Sequence, residues 1–117
     1  MTGASRKHNL IVANLVLEIG RQLKGRPCEV YPSDMRLRVP ATGLYKYPDV
    51  TVVCGAPELA DEHMDILLNP TVLIEVLSDS TERYDRGRKA ENYRRIDSLQ
   101  EYLLVDQTQP RIERYRR

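Results

Sequence analysis

Two short apolar segments in this chain each carry a single carboxylate, and they constrain the fold more than any other feature. One is Tyr47-Pro48-Asp49-Val50-Thr51-Val52-Val53, and the other is Val72-Leu73-Ile74-Glu75-Val76-Leu77-Ser78. Both are rich in β-branched residues and read as buried strands. Asp49 stands at the mouth of the first, and Glu75 stands inside a run that is otherwise wholly apolar. Burying an unpaired carboxylate is costly, so a strand that keeps one is expected to give it a partner. Two such carboxylates on adjacent strands can share a divalent cation. Two plainer roles compete with that one. An aspartate at the start of a strand also accepts backbone hydrogen bonds, and a buried glutamate also pairs with an arginine.

The segments around this pair give an α-β-β-β-α-β-β order. Residues 5–24 form an amphipathic helix, with Ile11, Val12, Leu15, Ile19 and Leu23 on one face, Ser5 as N-cap, and Gly25 and Pro27 as terminators. Residues 28–31 make a further short strand outside that order. Met35-Arg36-Leu37-Arg38-Val39 alternates apolar and basic residues, as a half-exposed strand does. Pro40 to Gly43 form a turn. Residues 48–54 and 71–77 are the buried strands, joined by a loop over 55–70 with one helical turn. Ser78 to Thr81 is a polar break, and a helix follows to about residue 96. Glu101–Asp106 is a strand, and residues 111–115 pair back onto it as an edge strand.

A chain of 117 residues with formal net charge +1 fits one small core and has no global pull toward polyanions. The charge is uneven: Glu58, Asp61, Glu62 and Asp65 cluster in one loop, and arginines cluster over 83–95 and 111–117. No apolar run approaches the ~18 residues of a membrane span, and the N-terminus has no signal-peptide core. Cys28 and Cys54 have no paired metal spacing and read as free thiols of a reducing, cytoplasmic compartment. His8 and His63 are too far apart in sequence to suggest a zinc site.

The chemistry follows from the carboxylates. Neighbouring strands would bring Asp49 and Glu75 to one end of the sheet. Two carboxylates and the Val76 carbonyl suit Mg²⁺ (or Mn²⁺), which prefers oxygen ligands and keeps several waters. Such a cation can polarise a phosphodiester and activate water. Arg86, Lys89, Tyr93 and Ile96 share a helix face. Lys89 either snorkels to solvent or reaches the carboxylates, where it stabilises transition-state charge or positions the attacking water. Tyr93 packs, or orients the lysine or a phosphate. His8 lies near the start of the first helix as a packed, capping or site residue, and Asp85 caps the following helix or supports the site.

In this order the residues resemble the PD-(D/E)XK nucleases. Pro48-Asp49 and Glu75-Val76-Leu77 match that pattern, except that Leu77 stands where the lysine is expected. The fuller string Ile74 to Ser78, Ser80-Thr81, Asp85, Lys89, Tyr93, Glu101-Tyr102 and Val105-Asp106 resembles the Uma-two family of restriction-endonuclease-like proteins, in which the lysine has moved to the helix at the place of Lys89. Gly3-Ala4-Ser5 with His8, and Asn14-Leu15, resemble that family's first helix. Leu103 and Asp79 depart from it, where tryptophan and proline are usual. The resemblance implies an α/β, three-layer restriction-endonuclease-like core with a mixed sheet flanked by helices. It also implies Mg²⁺ dependence and a DNA substrate. Family members carry strands before the first helix and an extension after the last strand, so residues 1–117 read as one nuclease-like domain shortened at both ends.

The expected function is therefore endonucleolytic hydrolysis of DNA, with Asp49, Glu75 and Val76 holding metal and Lys89 as the catalytic cation. Two alternatives use other residues. A catalytically inactive module would bind nucleic acid through Arg83, Arg86, Arg88, Arg94 and Arg95. A dimerisation module would pair its 111–115 edge strand with a second copy.

Overall fold

The computed structural model describes residues 5–60, 65–77, 90–107 and 112–116. Helix α1 (Arg6–Leu23) leads into β1 (Cys28–Pro32), β2 (Arg36–Arg38), β3 (Tyr45–Lys46), β4 (Val50–Cys54), β5 (Ile66–Leu67) and β6 (Val72–Leu77). The one-turn helix α2 (Ala90–Tyr93), β7 (Glu101–Asp106) and β8 (Ile112–Arg116) follow. The class is the expected one, α/β with a mixed sheet.

Five strands form the central sheet in the order β1-β4-β6-β7-β8. Only β6 and β7 run parallel, with Glu75 opposite Leu104 and Leu77 opposite Asp106. A parallel pair needs a long crossover, and α2 lies in the connection between these two strands. The other neighbours are antiparallel.

Strand alternation divides the core between two faces. Val53, Leu73, Leu77, Tyr102 and Leu104 pack on one face against Leu37, Val39, Leu67, Tyr93, Ile96 and Leu99. Val50, Val52, Ile74 and Val76 are buried on the other, the side where α1 crosses β1, β4 and β6. The apolar stripe of α1 is half-buried along its length rather than sealed. Ser5 caps this helix, its Oγ accepting from the His8 backbone N–H at 3.1 Å.

The structure departs from the sequence expectation in three places. A second, three-stranded sheet stands in the order β3-β2-β5, and two of its strands have only two residues each. β5 lies in the segment expected to be a loop with a helical turn. Its Leu67 pairs with Leu37, burying both. The hairpin from β2 to β3 closes where Thr42 and Gly43 both donate to the Val39 carbonyl, and Gly43 takes the positive φ (73°) that the turn requires. Second, α2 stops at Tyr93 instead of reaching residue 96. Ile96 N–H then bonds Tyr93 O and Leu99 N–H bonds Ile96 O, a double turn that brings both Ile96 and Leu99 into the core.

Third, Cys28 and Cys54 form a disulfide, not two free thiols. They are facing residues at the end of the β1–β4 ladder. The bridge depends on the register in which β1 meets β4, which the spacing of the two cysteines does not reveal. No helix among the described residues is long and apolar enough to cross a membrane.

Candidate functional site

β4 and β6 are antiparallel neighbours with Val50 opposite Ile74. That register sets Asp49, just before β4, level with Glu75. Asp49 Oδ2 accepts the Val76 backbone N–H at 2.7 Å, so the carboxylate extends the ladder where a backbone carbonyl would otherwise stand. The same oxygen lies 3.2 Å from His8 Nε2 on the first turn of α1. An ionised carboxylate has no proton to give, so Nε2–H is the donor. One oxygen of Asp49 thus receives two donors from two elements, while Oδ1 stays outside both bonds. Both side chains are mostly buried, at 15% exposed for His8 and 14% for Asp49.

Glu75 is 4% exposed, in the middle of the apolar β6. Tyr93, 1% exposed, donates its phenolic hydrogen to Glu75 Oε1 at 3.2 Å. Tyr93 therefore both packs and makes a polar contact: its ring meets Tyr102 edge-on, centroids 4.9 Å apart, while its hydroxyl holds a buried carboxylate. A buried acceptor without such a donor would be strongly unfavourable.

The start of α1 is tied to this end of the sheet a second time. Ser5 Oγ, which caps the helix, donates to Gln107 Oε1 just beyond β7, at 3.2 Å. Asp49, Glu75–Val76, Gln107 and the first turn of α1 therefore gather where the parallel strands β6 and β7 end. In open α/β sheets, ligand sites favour the carboxyl ends of strands.

Of the residues singled out from sequence, Asp49, Glu75, Val76, His8 and Tyr93 meet here. Lys89, Asp85, Arg83, Arg86 and Arg88 lie outside the described residues. Arg95 is exposed after α2. Arg94 lies elsewhere, lining a cavity of about 230 Å³ with Arg114, Arg116, Glu101, Tyr102 and Tyr115. Glu101 begins β7, three residues or roughly 10 Å along the sheet from the level of Glu75. Sequence reasoning missed Ser5 and Gln107 as supports. It also left open the role of His8, the third residue after the Ser5 cap. At that position a capping box places Glu or Gln, and a histidine there was the available sign.

The model of the Uma2 family, described as "Putative restriction endonuclease", matches residues 1–117. Two proteins of Synechocystis sp. (strain ATCC 27184 / PCC 6803 / Kazusa) are similar over nearly the whole chain. "Uncharacterized protein sll1609" is 38% identical over 100% of this chain and 66% of its own length. "Uncharacterized protein slr1290" is 36% identical over 98% of this chain and 60% of its own length. The chain thus spans under two thirds of the length of these curated relatives. A crystal structure from Anabaena variabilis ATCC 29413, described as "a putative nuclease belonging to DUF820", superposes with a TM-score of 0.72 at 18% identity, covering 99% of this chain and 70% of that one.

The fold is nuclease-like, with its buried carboxylate where β6 meets β4. The chain belongs to the Uma2 family.

Proposed function

We propose that this protein is a Mg²⁺-dependent endonuclease that hydrolyses DNA phosphodiester bonds at Asp49 and Glu75. The observation that carries the reading is Glu75 itself: a carboxylate buried mid-strand and beside an aspartate anchored from two directions. The donor chemistry fits a hard cation. Among the described residues no group of three His, Cys, Asp or Glu could cage a metal. Two carboxylates and the Val76 carbonyl suit a cation that fills its remaining positions with water and substrate phosphate, as Mg²⁺ does and Mn²⁺ can. When bound, it would supply Lewis-acid polarisation of the phosphate and a lower pKa for water.

The chain's own residues do the positioning. His8 and the Val76 N–H hold Oδ2 of Asp49, fixing the carboxylate and leaving Oδ1 for ligation. Tyr93 holds Oε1 of Glu75. Lys89, the cation expected from the family pattern, stabilises phosphate charge or positions the attacking water. In the reaction a water oxygen bonds to phosphorus, the P–O bond to the leaving oxygen breaks, and a proton reaches that oxygen. A cytoplasmic setting, where DNA is at hand, completes the reading. There the Cys28–Cys54 bridge would face reducing thiols.

The test is cleavage of supercoiled plasmid with Mg²⁺ or Mn²⁺ by the wild type, Glu75→Gln and Lys89→Ala. Nicking by the wild type that falls about a hundred-fold or more in both variants, with folding intact, is the expected result. Unchanged nicking in Lys89→Ala would remove that residue's role, and unchanged nicking in Glu75→Gln would end the proposal.

A further inference from the structure

The β2–β3 hairpin presents a surface that neither the core nor the carboxylate site uses. Its inner side buries Leu37 completely. Its outer side carries Arg36 and Arg38 from β2 and Tyr45 and Tyr47 from β3 and the residue after it, with Arg38 directly opposite Tyr45. Both tyrosines are about half exposed (53% and 52%), and Leu44 beside them is 45% exposed. Large apolar groups clustered in solvent mark an interaction site more often than isolated ones do.

Three of these side chains, Arg36, Tyr45 and Tyr47, are arranged, not merely adjacent. The Arg36 guanidinium carbon lies 5.9 Å from the Tyr45 ring centroid and 5.7 Å from that of Tyr47. Its Nε donates to the Tyr47 hydroxyl at 2.8 Å. Among the described residues no carboxylate forms an ion pair with Arg36 or Arg38, and Arg38 Nε is enclosed without an acceptor. Among the described residues, then, no acid neutralises the positive charge on this face. Tyr47 is two residues ahead of Asp49, so their Cα atoms are at most about 7 Å apart.

We propose that this face is a stacking platform for unpaired bases of a single DNA strand whose backbone runs on toward Asp49. The proposal rests on the nuclease reading and narrows it to single-stranded or locally unpaired DNA. Aromatic rings beside uncompensated arginines suit a single strand, because each base offers a ring face for stacking and each phosphate a negative charge. In a duplex the ring faces are already stacked, and only base edges in the grooves are open to a protein.

The full-length chain is tested by fluorescence anisotropy with labelled oligothymidylate and with a duplex of equal length. A chelator is present throughout, so no cleavage is needed for the readout. Wild type should bind the strand more tightly than the duplex. Tyr45→Leu/Tyr47→Leu should lose about ten-fold or more in strand affinity, the effect of one or two lost base–aromatic stacks. Tyr45→Phe/Tyr47→Phe, which keeps the rings, should stay within about two-fold of wild type. Both pairs should melt like wild type, since the inner side of the hairpin is untouched; if the Leu pair fails to fold, the strand preference of wild type and the Phe pair still decides. Strand affinity unchanged in a folded Leu pair, or a wild type that binds duplex as well as strand, would overturn the proposal. So would a dimer, seen by light scattering, that the Leu pair breaks without altering strand binding. A protein that binds strands as described but never cuts would instead defeat the nuclease reading and leave the platform standing.

Discussion

β6 and the β2–β3 hairpin break the same rule in opposite directions. β6 is buried along nearly all its length and keeps one carboxylate inside, Glu75. The hairpin faces solvent and keeps two tyrosines outside, fixed by one arginine. Charged groups are rarely buried, and a cluster of large apolar groups is rarely left in water. Neither exception improves packing. A leucine would fill the Glu75 position without a desolvation penalty, and a polar residue would serve on the hairpin. The comparison teaches that a position unfavourable for folding, on either side of the surface, is the place to look for a chemical role.

That comparison can be broken most decisively at Glu75. Glu75→Gln should abolish cleavage, by about a hundred-fold or more, while chemical denaturation shows stability within about 1 kcal/mol of wild type. If activity and stability fall together, Glu75 is a structural residue and the contrast with the hairpin fails. The disulfide comes next. It ties the β1 edge to β4, next to the buried region, and joins residues 26 apart in sequence. Reduction, or Cys28→Ser/Cys54→Ser, should lower unfolding free energy by about 3 kcal/mol on the loop-entropy model. Denaturation with and without reductant measures this, and no change would mean that the ladder alone holds β1.

Smaller effects sharpen the picture. His8→Ala removes one of the two donors to Asp49 Oδ2. It should cost about 1 kcal/mol in stability and about ten-fold in cleavage, read by melting and by plasmid nicking. A variant with full activity would show that the Val76 N–H alone fixes the aspartate. The smallest effect lies on the neighbouring strand β1, where Tyr31 faces Thr51. Hydrogen bonding to Glu29 is the main cause, with burial and the Glu29 charge behind it, that pushes the Tyr31 phenol from 10.0 up to about 12. The folded chain then holds that proton more tightly than the unfolded chain. The stabilisation is complete below about pH 10 and is lost as pH rises from 10 to 12. Tyr31→Phe should flatten that alkaline limb in denaturation curves and leave neutral pH almost untouched.

The strands with long apolar runs were legible in the sequence, because Val50–Cys54, Val72–Leu77 and Glu101–Asp106 have unbroken β-branched or alternating patterns. Helix α1 and its Ser5 cap were legible for the same reason, a sustained period and a capping residue. β3 and β5 were not. Two residues carry no period, and each is held by pairing with β2, β5 also with residues 58–60 on its other side. The cysteine bridge was hidden because it depends on the register of two strands. Asp49 and Glu75 could be picked out as anomalies, but the His8–Asp49 contact joins residues far apart in sequence and follows from where α1 packs. The tyrosines at 45 and 47 were visible only as residues. Their pairing with Arg36 is a product of the hairpin.

The central claim is that the buried carboxylate pair holds a divalent cation. Calorimetric titration of Mn²⁺ into wild type and Glu75→Gln, each with a short DNA duplex carrying an unpaired tail, tests it most directly. The account predicts binding in the wild type that is lost in the variant, with both proteins folded. Equal binding in the two, or none in the wild type with DNA present, would contradict it.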